Sequence, residues 1–269
     1  FEAAPRPGGQ LELARRIPGK EQEFAALLRY FERRLAASGV ELRCGRPADA
    51  DMLAAGGFDA VVVATGIRPR QPDFPGVHHP KVVGYADVVL GRVAVGARVA
   101  VIGTGGIAHD VAELLTAPAG PEAVDAFLAE WGVDPAMAAP GGLRAPQLPA
   151  AGARSVTLLQ RGHARPGARL GRSTGWIHRT RLARRGVQWL AGCRYERVDD
   201  AGLHYSIDGV PQPVLAVDHV VLCAGQECES ALAQALAARG VPAETIGGAR
   251  LAAELDAVRA IDEGTRLAY

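Results

Sequence analysis

Arg98–Val99–Ala100–Val101–Ile102 runs directly into Gly103–Thr104–Gly105–Gly106–Ile107–Ala108, and a helical pattern continues through Val111, Leu114 and Leu115. A strand that turns on glycine into a helix start offers backbone N–H groups and the positive end of a helix dipole to an anion. That is the chemistry needed to hold a dinucleotide pyrophosphate. Gly103 permits the turn, and Gly105 lets the backbone approach phosphate. Ala108 stands where the third glycine of the fingerprint would pack helix against strand. Glycine spacing alone is a weak signal; a strand before it and a helix after it make it specific.

In such a fold an acid at the end of the second strand accepts hydrogen bonds from the ribose, whereas an arginine accommodates a 2′-phosphate. The next apolar run, Ser155–Gln160, ends in Gln160–Arg161 with Arg165 close behind and no acid. Guanidinium groups bind phosphate bidentately where a carboxylate would repel it. The pattern predicts NADP(H) over NAD(H), a solvated basic loop being the plain alternative. Glu2, at the end of another short strand and followed by Gly8–Gly9–Gln10, is a second candidate ribose acid. Glycine there allows close backbone approach to a ligand; alone, Glu2 would read as an ordinary surface residue.

Cys223 and Cys228 have the spacing C-x4-C, which is open to a redox dithiol. Cys223 ends an apolar run, so it reads as a small buried hydrophobe. There is no C-x-x-C, and no helix start that would lower a thiol pKa lies beside these cysteines. His78 and His79 lie beside Pro80 in a loop and the other five histidines are scattered, so no metal site is predicted. His178, within Trp176–Ile177–His178, lies in a helical stretch and reads as structural, with proton donation the alternative. No acid–base catalytic residue is assigned.

The elements that must position these groups follow from pattern. Phe58–Gly66 is echoed by Val217–Gly225: each has an acid, an apolar run, a small residue and Gly. Continuous apolar runs are the mark of strands buried on both faces of a parallel sheet. One such strand on each side of a single fingerprint predicts two related nucleotide-binding domains, one inserted in the other. Pro5–Gln10 reads as a loop. A helix from Glu21 to Ala37 places Phe24, Leu27, Leu28, Phe31 and Leu35 on one face, with Gly39 as its cap. Val40–Cys44 reads as a short strand, and residues 67–92 as an ordered connection between domains. Residues 116–153 are an insertion with a short helix over 122–131. A helix over 174–185 and a third parallel strand over 187–190 follow. Residues 194–217 form an antiparallel meander turning at Asp208–Gly209, and a parallel strand follows over 219–223. Ile246–Gly247–Gly248 turns into a helix over 251–267. The fold class is therefore α/β, with two Rossmann-like dinucleotide-binding domains. The predicted domains are 1–92, 93–225 and 226–269, the middle one inserted in the other.

The 269 residues are 48% hydrophobic and 22% charged, enough for one large or two smaller cores. A net charge of +1 gives no reason to expect nucleic acid or an acidic membrane as partner. No apolar run approaches the roughly 18 residues of a membrane span, and there is no signal-peptide pattern. Four scattered cysteines do not form a secreted disulfide framework, so the default location is the cytoplasm. The chain opens on Phe1–Glu2 without Met, as if inside a strand. That start predicts a fragment of something longer.

These segments resemble the C-terminal half of bacterial NADPH-dependent 2,4-dienoyl-CoA reductases, of the NADH:flavin oxidoreductase (Old Yellow Enzyme-type) fusion family. The matching strings are PGGQ (7–10), IPGKEQEF (17–24), ATGIRPR (64–70), VIGTGGIAHD (101–110), LLQRGHARPG (158–167), LGRSTGWIHRT (170–180), VLCAGQE (221–227) and ELDAVRAIDEGTRLA (254–268). They cover essentially the whole chain, and the insertion at 116–153 also fits. STGWIHRT and ELDAVRAI are unusual strings, which makes the likeness specific.

The resemblance implies a three-part enzyme, with the glycine fingerprint for the FAD pyrophosphate expected before Phe1. An N-terminal TIM barrel would hold FMN and the acyl-CoA substrate, a cysteine cluster would hold a 4Fe–4S centre, and the half seen here would bind FAD and NADPH. Electrons would pass from NADPH to FAD, through the cluster, to FMN and the substrate. The implied partners are the chain's own barrel and iron–sulfur region. By the same likeness Glu2, Gly8, Gly9, Gln10, Ala64, Thr65, Gly66, Gly247 and Gly248 would line FAD. Gly103, Gly105, Gly106, Ile107, Arg161 and Arg165 would line NADPH. One departure is Arg250, where the family more often has an acid. The alternatives are another fused flavoprotein, such as an enoate reductase or an amine dehydrogenase, and a truncated nucleotide-binding fragment without turnover. Amine dehydrogenases need no NADPH, so the fingerprint with Arg161 argues against them.

Overall fold

A computed structural model describes residues 1–118, 123–147, 152, 154–168, 170–253 and 256–268. They divide into two compact units: 1–16, 20–70 and 225–269 in the first, 17–19 and 71–224 in the second.

In the first unit, helix α1 is Gln10–Ala14 and α2 is Glu21–Ala37. Helix α2 has Glu21 and Glu23 in its first turn and Arg34 in its last, each charge suited to the dipole end it faces. Leu28 of its apolar stripe is buried; Phe24, Leu27, Phe31 and Leu35 are partly so. Gly39 follows with φ +70°, a left-handed conformation that favours glycine. The strand expected at Val40–Cys44 reduces to one bridge, Glu2 with Cys44. Its neighbourhood is tied to residues 2–4 by three bonds: Glu2 N–H donates to Arg43 O, Gly45 N–H to Ala4 O and Arg46 N–H to Glu2 O. Helix α3, Ala50–Ala55, is capped by Asp49, whose carboxylate accepts from Met52 N–H at 2.8 Å. The run expected over Phe58–Thr65 narrows to β1, Val61–Val63, with β2 at Ile67–Pro69.

The second unit is built on five parallel strands. In chain order they are β3 (Val82–Gly84), β4 (Arg98–Ile102), β5 (Ser155–Leu159), β6 (Gln188–Leu190) and, after the three meander strands described below, β10 (His219–Leu222). In space the order is β3-β10-β4-β5-β6. Val99, Ala100, Val101, Val156, Leu158, Leu159, Val220 and Val221 are buried, which is why these strands read as unbroken apolar runs. Each such Val or Leu contributes roughly 1.5–3 kcal/mol on burial. Helix α4 is Tyr85–Val89, and α5, Gly106–Thr116, lays Ala108, Val111, Ala112 and Leu115 onto the core. The insertion holds α6, Val124–Trp131, which ends on Gly132 at φ 70°; position 122 of the expected helix lies outside the described residues. Helix α7, Gly175–Arg184, receives it: Arg184 Nη1 donates to Glu130 O at 2.7 Å, and the Trp131 and Trp176 rings meet edge to face. The meander is β7 (Cys193–Asp199), β8 (Gly202–Ile207) and β9 (Val210–Pro211). Its hairpin turns at Asp208 and Gly209, both with positive φ, as a type I′ turn requires.

Residues 67–92 are not a plain connection, and residue 92 is not the boundary between units. Strand β3 pairs in parallel with β10, Val82 opposite Val220, so residues 71–92 pack with the second unit. The chain then returns to the first unit through β11 (Gln226–Cys228), antiparallel to β2. Helix α8 (Ala231–Ala238) leads into β12 (Ala243–Thr245), parallel to β1. The last helix, α9, is Ala257–Leu267, starting six residues later than the pattern suggested. Gly247–Ala249 forms a 3₁₀ turn first, and Asp256 then caps the helix by accepting from Arg259 N–H at 2.8 Å. Among the described residues no helix is long and apolar enough to cross a membrane.

Candidate dinucleotide site

Gly103 is pinned on both sides. Its N–H donates to Leu159 O at 2.8 Å, Cys223 N–H donates to Ile102 O at 2.8 Å, and its φ is +128°. A Cβ there would stand 2.2 Å from Cys223 O, so glycine is required by packing and by backbone conformation alike. Gly105 differs. Its φ of −80° suits any residue, and a Cβ at Gly105 or Gly106 would meet nothing within 4 Å. The space over the start of α5 is open. The helix has neither a side-chain cap nor an acid in its first turn, and Ile107 lies in that turn. Ala108 is 1% exposed, filling the tight packing position. An open, uncapped helix start with glycine beneath it fits a pyrophosphate.

Gln160 directly follows β5, where the ribose acid of other dinucleotide sites would stand. Its Oε1 accepts from Thr104 Oγ1, and its Nε2 donates to Gly162 O at 2.9 Å and to Ala164 O. Arg161 and Arg165 bracket this folded-back segment. Both are exposed, and among the described residues neither pairs with a carboxylate. Two cations left uncompensated beside an open glycine turn fit a 2′-phosphate.

Beneath the turn, His109 is 1% exposed and its Nδ1 lies 3.0 Å from Gly105 O. Burial pushes its imidazole below the ordinary histidine range. One turn further on, Glu113 Oε1 lies 2.6 Å from His178 Nδ1. His178 is thus a structural tie between α5 and α7. Sequence reading missed Glu113, since its only signal was its place in the apolar face of α5.

In the first unit, parallel pairing of β1 with β12 brings Ala64, Thr65 and Gly66 beside Gly247 and Gly248: Ile246 N–H donates to Val63 O at 3.1 Å. Thr65 Oγ1 donates to Glu229 O at 2.5 Å and Glu229 N–H to Gly66 O at 3.0 Å, which fixes that loop. Gly66 and Gly247 have positive φ and open space where a Cβ would be, a cradle that fits a flavin dinucleotide. Glu2 and Gly8–Gln10 form a separate group. Glu2 Oε1 accepts from Ala4 N–H at 2.8 Å, and a Cβ on Gly8 would press on Glu12 and Leu28. Gln10 is the first residue of α1 rather than part of the loop. Gly247 N–H donates to Glu263 Oε2 at 2.6 Å, and Arg250 pairs with the other oxygen of Glu263 at 2.5 Å. The cation at 250 is therefore neutralised within α9.

Cys223 and Cys228 are free cysteines that fall in different compact units. Burial pushes the Cys223 thiol well up, with Asp110 adding to it, so the nucleophilic thiolate is suppressed. Among the described residues no group of three or more His, Cys, Asp and Glu could hold a metal ion.

A parallel sheet entered through this glycine turn defines a Rossmann-type dinucleotide-binding protein. Residues 35–255 match the family described as pyridine nucleotide-disulphide oxidoreductase, and the chain belongs to that FAD- and NAD(P)-binding family. It is 28% identical over 243 residues to the metal reductase of Desulforamulus reducens, covering 88% of this chain and 35% of that protein. It is 36% identical over 115 residues to the bilirubin reductase of Mediterraneibacter gnavus, covering 43% of this chain and 18% of that protein. The solved structure of 2-naphthoyl-CoA reductase superposes with a TM-score of 0.78 at 22% identity, over 99% of this chain and 35% of that one. Histamine dehydrogenase from Rhizobium sp. 4-9 gives 0.71 at 18% identity, over 99% and 39%. The two structural likenesses show the fold. The chain spans 35% or less of the length of these two curated relatives. Its family makes it an NAD(P)-dependent flavin oxidoreductase module.

Proposed function

We propose that the chain is the NADPH-to-FAD electron-input module of a 2,4-dienoyl-CoA reductase. The observation that carries the nucleotide half of this reading is Gln160–Arg161, without an acid, beside the open Gly105–Gly106 turn. When bound, the nicotinamide supplies a hydride and the flavin accepts it. The chain's own residues bind and orient. The first turn of α5 holds pyrophosphate, Arg161 and Arg165 hold the 2′-phosphate, and the glycines at 66 and 247 admit the flavin dinucleotide. The dienoyl-CoA half rests on the strings STGWIHRT and ELDAVRAI, the second of which begins at positions 254–255, outside the described residues. FMN, a 4Fe–4S centre and the acyl-CoA site would belong to a barrel region joined to this module, in the cytoplasm.

The test uses the protein from its complete reading frame, loaded with flavin, NADPH and a 2,4-dienoyl-CoA. Loss of the dienoyl chromophore in step with NADPH oxidation is expected. NADPH oxidation that leaves the dienoyl-CoA intact would contradict the substrate assignment. An Arg161→Ala variant should lose about 10- to 150-fold in NADPH affinity, the worth of one charge-assisted bidentate contact.

A further inference from the structure

Gln160 braces the glycine turn that follows β4 against the arginine loop that follows β5. Its carbonyl oxygen accepts the Thr104 hydroxyl from the glycine turn, and its amide donates to Gly162 O and Ala164 O in the arginine loop. Only a side chain with one acceptor and two donors can do both. The backbone around it is anchored too: Gln160 N–H donates to Leu190 O at 2.9 Å, Cys193 N–H to Gln160 O at 2.9 Å, and Gly192 N–H to Gly162 O at 3.2 Å. The curled segment 160–164 thus starts from a fixed strand end and is folded back by one amide. Arg161 lies within the curl and Arg165 is its next residue, and both are exposed.

We infer that Gln160 is a positioning residue for nucleotide choice: its brace from Thr104 to the 162–164 carbonyls holds Arg161 and Arg165 where they meet a 2′-phosphate. The inference deepens the NADP(H) reading and rests on it. It explains why an amide stands at the strand end. A carboxylate there would repel the phosphate and would also lose both donors to the loop.

The effect should be selective. NAD(H) has no 2′-phosphate, so its affinity does not depend on where the guanidinium groups lie. The experiment measures calorimetric affinities of NADP⁺ and NAD⁺ for the protein from its complete reading frame and for its Gln160→Leu, Gln160→Glu, Thr104→Val and Thr104→Ser variants. Gln160→Leu and Thr104→Val should lose about tenfold more in NADP⁺ affinity than in NAD⁺ affinity, one charge-assisted bond's worth. Thr104→Ser, which keeps the hydroxyl, should retain the wild-type preference. Gln160→Glu should lose more than Gln160→Leu. In an Arg161→Ala, Arg165→Ala background, Gln160→Leu should cost no further affinity. Tryptic cleavage after Arg161 in the nucleotide-free protein should quicken in Gln160→Leu, reporting the released loop without any ligand. A Gln160→Leu protein that keeps its NADP⁺ preference, or loses both nucleotides equally, overturns the inference alone. A wild-type chain that prefers NAD⁺ or binds neither nucleotide overturns the NADP(H) reading and the inference with it.

Discussion

His178 Nδ1 and Glu113 Oε1 stand 2.6 Å apart, joining helices α7 and α5 across 65 residues of sequence. Glu113 is 2% exposed, and its removal leaves the imidazole without its carboxylate. Breaking a fully buried pair costs roughly 3–5 kcal/mol. His178 remains partly exposed, so Glu113→Ala should cost about 2–3 kcal/mol and Glu113→Gln less. Urea unfolding followed by circular dichroism measures this, and an unchanged midpoint in Glu113→Ala would show that the pair ties nothing.

Gly103 and Gly105 should respond oppositely to the same methyl group. At Gly103 the Cβ meets Cys223 O at 2.2 Å on a backbone of positive φ. Gly103→Ala should therefore lose at least about 2 kcal/mol of stability. At Gly105 the Cβ meets only open space, so Gly105→Ala should unfold within about 0.5 kcal/mol of wild type. It should instead weaken NADP⁺ binding about tenfold, because the methyl fills space that the pyrophosphate needs. Thermal melts and calorimetric titrations separate the two effects. Equal stability losses would remove the argument for an open phosphate cradle at Gly105.

Much of the second unit is legible in sequence because its chemistry is local. An apolar β-branched run, three glycines and a helical stripe lie within nineteen consecutive positions, and the structure realises them as β4, the turn and α5, Arg98–Thr116. The arginine loop is equally local. What sequence reading missed depends on contacts between distant residues. Strand β3 is three residues long and gains its place only by pairing with β10, so 67–92 looked like a linker. The partners of Thr104 and Glu113 are 56 and 65 residues away. The late start of α9 was readable, since Asp256 is a good N-cap residue, but apolar Leu251 drew the prediction forward.

Acid should act on Asp218. Arg98 Nη2 lies 2.7 Å from one carboxylate oxygen and Arg98 N–H donates to the other at 2.8 Å, which together bring its pKa down to about 2. An unfolded aspartate titrates near about 3.9. The carboxylate binds fewer protons folded than unfolded between these values, so its contribution is complete above about pH 4 and is lost as pH falls to about 2. Asp218→Asn should be less stable than wild type at neutral pH, and the gap should close over that interval. A gap independent of pH would contradict the ion pair.

Flavin reduction should not need a thiol. Cys223 is held as the protonated thiol by burial, and Cys228 falls in the other compact unit. A Cys223→Ser, Cys228→Ser protein loaded with FAD should be reduced by NADPH within about threefold of the wild-type rate, since a dithiol relay requires a thiolate. A loss of two or more orders of magnitude would restore a dithiol between nucleotide and flavin.

The most direct test of the account is anaerobic stopped-flow reduction of the FAD-loaded protein by NADPH and, separately, by NADH. One equivalent of NADPH should bleach the flavin absorbance fully. At limiting nucleotide it should do so about ten times faster or more than NADH, with the advantage lost in Arg161→Ala. A flavin that neither nucleotide reduces, or that NADH reduces as fast as NADPH does, would contradict the claim that this chain carries electrons from NADPH to FAD.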